Sequence, residues 1–471
     1  MAGFDAYDRR MQKTALLLSG LTLVLLNAVA GAAPAPPKYV ILMIADGGGF
    51  NHFRAASSFL TGKADGLTCD AFPVKLAVST FSATGQGYDP ARAARDPEYI
   101  KMKPTDSAAA ATALASGYKT SNGSLGVDVH GRPLSNTTEM AASAGRSVGL
   151  ITTVPFSHAT PAGFAAHDQD RDKYSGIAEE MVLRCPLTVL MGCGNPDYDT
   201  NGKARPVPFI FDFVGGIGLW EKIRHGEAVG VKNGRSPAGP WTFVESRASF
   251  VALATGAAPA RVIGVAAAHK TLQQERAASK DWNGDGKIDA ADAAAEPAFG
   301  DPFTATVPTL AEMTRASLNV LDDNPRGFFL MVEGGAVDWA AHNNQGGRMI
   351  EEMAGFDEAI KAVCDWVDTN GGWSNSLVIV TADHETGYLQ GTDGAAESAP
   401  CYKPVTISEK GKMPGMTWLL KSHTNQLVPL YAKGCYADRF ADKVRGTDPL
   451  RGPYVDDTDI GRIILEAVRA P

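Results

Sequence analysis

Four stretches of this chain are continuously apolar and rich in branched side chains: 39–45, 148–154, 328–332 and 376–381. Runs of this length without alternation suit strands buried on both faces. A different pattern spans Thr105–Gly117, where alanine dominates. That composition predicts a helix, capped by Asp106 or Thr105 and closed by Gly117. Ser107 then falls in the first helical turn. There the free backbone N–H groups and the helix dipole favour an anion.

The apolar runs gain meaning from the residues just beyond their carboxyl ends. Residues 39–45 end in Asp46-Gly47-Gly48-Gly49. An aspartate at a strand tip before glycines leaves its carboxylate open to a ligand that approaches the backbone. After 328–332 come Glu333, Asp338 and His342, three ligand-type side chains within ten residues. After 376–381 comes Asp383-His384. Carboxylates and imidazoles gathered at strand ends point to divalent metal. Singly, each has a plainer reading: a polar loop, a turn, a capping serine. His423 alone reads as a structural histidine.

In this order the motifs resemble the alkaline phosphatase family, from about Tyr39 to about Ala432. The stretch Asp106–Ala113 matches that family's nucleophile box closely. Ser157–His167, continuing to Arg171, resembles the segment that carries a hydroxyl ligand and a phosphate-binding arginine. The resemblance implies a three-layer α/β/α sandwich with a mostly parallel central sheet and metals at the carboxyl ends of its strands. It implies two Zn2+ and one Mg2+. Asp338, His342 and His423 would hold the first zinc. Asp46, Asp383 and His384, with Ser107, would hold the second. Glu333 and Thr160, with Asp46 bridging, would hold the third ion, with His158 beside it. Ser107 would be the nucleophile and Arg171 the phosphate grip. The implied activity is a metal-dependent hydrolysis of phosphate monoesters through a phosphoserine. A homodimer is left open.

Two positions depart from the enterobacterial pattern. His158 stands where that pattern has aspartate, and Trp339 where it has lysine. The pair resembles marine and cold-active bacterial members. Imidazole accepts zinc more readily than magnesium, so Zn2+ becomes a candidate for the third site. A sulfatase or phosphodiesterase of the same superfamily is the alternative enzyme. No Cys/Ser-x-Pro-x-Arg setting surrounds Ser107, as a sulfatase would need. A calcium-dependent binding protein without turnover is the non-enzymatic alternative.

Bulk properties refine this. The chain has 471 residues, 44% hydrophobic and 20% charged, an ordinary globular composition. Its formal net charge of -8 argues against nonspecific nucleic-acid binding. Basic Arg9-Arg10, an apolar stretch to Leu26 and small residues near Ala32 predict a signal peptide over 1–32. That apolar core is too short for a stable membrane span. A periplasmic or secreted location follows. A Pro/Ala spacer, 33–38, precedes a catalytic domain, 39–471. All 6 cysteines lie at or beyond Cys69, with Cys185/Cys193 and Cys401/Cys435 as candidate disulfides.

The region from about 185 to 302 is rich in glycine, proline and alanine and lacks the motifs. It is expected to form an inserted lobe above the site. Within it, Asp281–Asp292 has the spacing of an EF-hand or dockerin loop. The candidate Ca2+ ligands are Asp281, Asn283, Asp285, Asp292 and the Lys287 carbonyl.

Overall fold

The computed structural model describes residues 35–232, 236–392 and 400–469. The predicted signal peptide and the first residues of the spacer lie outside the described residues. Eleven strands form the main sheet: β1 (Tyr39–Ala45), β2 (Val74–Ser79), β3 (Ser147–Pro155), β4 (Val189–Cys193), β5 (Thr242–Val244), β6 (Val262–Val265), β7 (Phe328–Gly334), β8 (Ser376–Thr381), β9 (Val428–Gly434), β10 (Gly446–Asp448) and β11 (Gly452–Asp456). Their spatial order is β10-β11-β2-β9-β8-β1-β7-β3-β4-β6-β5. From β8 to β5 every neighbouring pair is parallel. β9 runs antiparallel to both β8 and β2. The four predicted strands are β1, β3, β7 and β8, and they lie side by side in the order β8-β1-β7-β3.

Every residue of β1 is buried. Val40, Leu42 and Ile44 point into one core, and Ile41, Met43 and Ala45 into the other. Helices cover both faces, which gives the three layers. On the first face lie α2 (Ser107–Ser116), α3 (Ala159–Gly163) and α7 (Asp457–Arg469); on the second lie α1 (Phe50–Thr61), α4 (Leu310–Leu321) and α6 (Gly346–Trp366). A short α5 (Ala336–His342) follows β7 directly. Each large side chain buried this way contributes about 1.5–3 kcal/mol. The alanines of α2 also let α7 come close. A Cβ at Gly461 would meet the Ala113 carbonyl at 2.5 Å.

Two expectations need correction. The stretch 185–302 is not built as a body apart from the sheet, because β4, β5 and β6 come from it. The strands there are only three to five residues long, too short to stand out by pattern. The candidate disulfides are not formed in this structure. Cys185 and Cys193 lie in the two cores on opposite faces of the sheet. Cys401 sits in a small separate cluster with Tyr99 and Tyr388, while Cys435 packs beside the first core. Among the described residues no helix is long and apolar enough to cross a membrane.

Candidate metal centre and active site

The carboxyl ends of β1, β7 and β8 bring the predicted ligands together. Asp46 leaves β1 fully buried, and Gly47 follows at φ +73. A Cβ there would meet the Asp338 backbone at 2.8 Å, so the turn requires glycine. Asp383 accepts from the Gly47 amide at 3.1 Å and the His384 amide at 2.9 Å through one oxygen. Its other oxygen is buried and accepts no hydrogen bond, and the same holds for Asp46 Oδ1 and Glu333 Oε1. His384 Nε2 lies 3.4 Å from Asp46 Oδ1, 3.3 Å from Asp383 Oδ2 and 3.1 Å from Ser107 Oγ.

A second cluster lies beside the first. Asp338 Oδ1 is 3.3 Å from His342 Nε2 and 3.6 Å from His423 Nε2. The two Nε2 atoms face each other at 3.0 Å. Each ring's Nδ1 is already committed: His342 to the Lys421 carbonyl at 2.6 Å, His423 to the Thr105 carbonyl at 2.8 Å. A carbonyl only accepts, so Nδ1 carries the proton in both rings. Two Nε2 lone pairs therefore point at one another, an arrangement that a cation would satisfy. His384 is oriented the same way. Thr386 donates to Asp338 Oδ1 at 2.6 Å and so accepts from His384 Nδ1 at 3.2 Å.

Asp338, His342 and His423 form one convergent trio, and Asp46, Asp338 and His384 another, each with ligand atoms within 4.8 Å. Asp338 thus reaches both clusters, although the sequence assigns it to one. Glu333 takes a very short hydrogen bond from Thr152, and Thr160 donates to Asp46 at 3.4 Å. The electrostatics fit a cation as well. Burial, then Asp383, pushes the Asp46 carboxyl well above its usual range. Burial, then Asp338, raises Asp383 to about 7, and burial raises Glu333 to about 7. Burial, then His423, holds His384 well below the ordinary histidine value. Positive charge entering among them would favour the ionised carboxylates, and burial already holds His384 as the neutral imidazole that a metal binds.

Ser107 begins α2, and Asp106 caps it by accepting from the Ala109 amide at 3.0 Å. The other Asp106 oxygen accepts from the Gly123 amide and from Arg171 Nη1, both at 3.0 Å. One carboxylate therefore fixes the helix that begins at Ser107 and the arginine together. Of the nearby acids, Asp168 pairs with Lys173 at 2.8 Å and not with Arg171. His158 is half-buried, with its Nδ1 buried and without a hydrogen-bond partner; its ring contacts are Trp339 at 5.4 Å and Tyr174 at 6.1 Å. Burial, then Arg171, lowers its pKa to about 3. Ser107, Arg171, His158 and the Asp338 trio line one open cleft of about 470 Å³.

The profile of the family described as alkaline phosphatase matches residues 37–443, most of the chain. The chain belongs to the alkaline phosphatase family. It is 30% identical over 408 residues to the alkaline phosphatase of Escherichia fergusonii, covering 84% of this chain and 76% of that one. It is also 30% identical over 460 residues to streptomycin-6-phosphate phosphatase of Streptomyces griseus, covering 92% and 95%. In fold it is similar to a cold-active alkaline phosphatase from Shewanella, with TM-score 0.61, 24% identity and 91% and 99% coverage. The Antarctic bacterium TAB5 enzyme gives TM-score 0.60, 21% identity and 93% and 99% coverage. This alkaline phosphatase is accordingly a phosphomonoesterase.

Several contributors to the site escape a reading of the sequence. Thr152 pairs with Glu333 across β3 and β7, a sheet register no linear pattern reveals. Thr386 does leave a signal. It lies two residues beyond His384 in extended chain, so the two side chains share a face. Lys270 and Glu275 line the cleft from the inserted stretch, with no motif to mark them. The calcium-type loop stands outside the cleft. Asp281 accepts from the amides of Gly284, Asp285 and Gly286 at 2.6, 3.1 and 2.8 Å. Asp292 is buried and accepts from the Trp282, Asn283 and Asp289 amides. Among the described residues its carboxylate does not converge with Asp281 and Asp285 into a trio.

Proposed function

We propose that this enzyme is a secreted, metal-dependent phosphatase that hydrolyses monoesters in two steps through phosphoserine at Ser107. The facing Nε2 atoms of His342 and His423, each with Nδ1 committed, support the metal dependence most strongly. Asp338, His342 and His423 would hold one Zn2+. Asp46, Asp383 and His384, beside Ser107, would hold the second. Glu333, Thr160 and Asp46 would hold a third ion, Mg2+ or Zn2+, with His158 nearby. When bound, such ions lower the pKa of the Ser107 hydroxyl and offset the charge of the phosphate oxygens.

The chain's own residues do the rest. Asp106 holds Arg171 so that its planar fork faces the cleft and can bind two phosphate oxygens. Ser107 Oγ attacks phosphorus, its proton passing to solvent through the open cleft. The P–O bond to the alcohol breaks and the alcohol leaves with a proton from water. Water then attacks the phosphoserine, releasing inorganic phosphate and restoring Ser107. Arg171 stabilises the oxygens in both loose transition states. A calcium site at 281–292 is the lesser part of the proposal, supported by the carboxylate-capped turn at Asp281. Asp292 would have to exchange amide hydrogen bonds for the ion.

The test compares 4-nitrophenyl phosphate, bis(4-nitrophenyl) phosphate and 4-nitrophenyl sulfate, with and without chelator. The monoester should be strongly preferred, and chelation should abolish turnover until Zn2+ and Mg2+ are restored. Preference for the diester or sulfate would overturn the substrate class. Full activity in chelator would overturn the metal dependence.

A further inference from the structure

Trp339 leaves the phosphate cradle without the lysine of the enterobacterial pattern, yet the cleft holds a second cation. Among the described residues that line it, Arg171 is joined by Lys270. Lys270 comes from the stretch after β6, and its backbone is fixed on both sides. His269 and Thr271 are buried. The Leu272 amide donates to the Thr153 carbonyl at 3.1 Å, tying the segment to β3. The Lys270 side chain, 42% exposed, crosses the mouth of the cleft to Glu275 at 3.2 Å. Its ammonium lies 5.9 Å from the centre of the Trp339 ring, and that ring packs edge-on against His158 at 5.4 Å. Lys270 is thus one aromatic ring removed from the residues around Ser107. Lys270 therefore lines the same cleft as Ser107 and Arg171, with the Trp339 ring between its ammonium and His158.

We infer that Lys270 is a specificity-determining residue that binds a second phosphate on the alcohol part of the substrate. The inference rests on the phosphomonoesterase reading above. A cleft of about 470 Å³ has room for more than one phosphate group. Arg171 is clamped by Asp106, so it serves the transferred phosphate. The Lys270–Glu275 pair is different in kind. An ion pair this exposed is worth only about 0–1 kcal/mol, so a phosphate dianion can displace Glu275 at little cost. The compact, freely turning ammonium suits a group whose position varies between substrates. Glu275 holds Lys270 over the mouth until such a substrate arrives.

The experiment measures kcat/KM for fructose 1-phosphate and fructose 1,6-bisphosphate with wild-type holoenzyme, Lys270→Ala, Lys270→Arg and Glu275→Gln. The readout is the ratio of bisphosphate to monophosphate. Lys270→Ala should lower that ratio about tenfold, Lys270→Arg should keep most of it, and Glu275→Gln should raise it. An unchanged ratio in Lys270→Ala overturns the inference, as does wild-type enzyme that turns over the monophosphate but rejects the bisphosphate. Wild-type enzyme that hydrolyses neither overturns the phosphomonoesterase reading itself, a result distinct from an unchanged ratio. Thermal melts of the variants, whose changed side chains reach solvent, confirm folding.

Discussion

Glu352 should make this fold lose stability as pH rises from about 4.5 to about 8. The residue lies on α6, 8% exposed, with Oε1 buried and unpartnered. Burial, then Glu351, pushes its carboxyl from 4.5 up to about 8. The native state therefore holds a proton that the unfolded chain has already released across that window. Stability must fall as pH rises from the unfolded value to the folded one, and level off above it. At about 1.36 kcal/mol per pH unit, the full loss has a ceiling of about 4–5 kcal/mol. Local relaxation around the charge makes roughly half of that the expected size. Glu352→Gln keeps the shape of the neutral acid and removes the titration. Urea unfolding at pH 5 and pH 9.5, with fixed zinc and magnesium, would measure both proteins. At pH 5 they should differ by under about 1 kcal/mol. At pH 9.5 the variant should be more stable by about 2 kcal/mol or more. Equal differences at the two pH values would refute a buried, proton-holding Glu352.

Three further outcomes are expected of the site and its surroundings. Asp106→Asn keeps a good helix cap but withdraws the charge that holds Arg171, so inhibition by inorganic phosphate should weaken about tenfold with the melting temperature nearly unchanged; unaltered inhibition would remove Asp106 from the grip. His423→Ala should lose one zinc by elemental analysis while the cluster at Asp46, Asp383 and His384 keeps its ion; loss of all metal would mean that the clusters fill as one unit. Calcium should raise the melting temperature of the wild type and not of Asp285→Ala, because a ligand bound only by the folded state stabilises it; equal shifts would make 281–292 an ordinary turn.

The centre of this molecule is legible in its sequence and the edges are much less so. β1, β3, β7 and β8 are buried on both faces, and burial of that kind writes itself as unbroken apolar runs. Their tips carry the candidate ligand residues, because the carboxyl ends of parallel strands are where a site can open. β4, β5 and β6 leave no such mark. They are short strands toward one edge of the sheet, stabilised by register with neighbours rather than by a long pattern of their own. The cysteines mislead for a related reason. Proximity in the chain suggests pairing for Cys185 and Cys193, but a strand between them carries the two side chains to opposite faces. Asp106 reads as a cap and is also the clamp on Arg171, a contact 65 residues away along the chain. Lys270 shows the same limit, since its role depends on a cleft assembled from distant segments.

The central claim is that Ser107 carries the phosphoryl group between the two steps. Wild-type holoenzyme mixed with 32P-labelled aryl phosphate at mildly acidic pH and quenched in acid should retain label. Peptide mapping should place it on the peptide containing Ser107, with close to one phosphate per site. Ser107→Ala should carry none and turn over slower by on the order of a thousandfold or more. Label on any other residue, or full turnover in the alanine variant, would contradict the account.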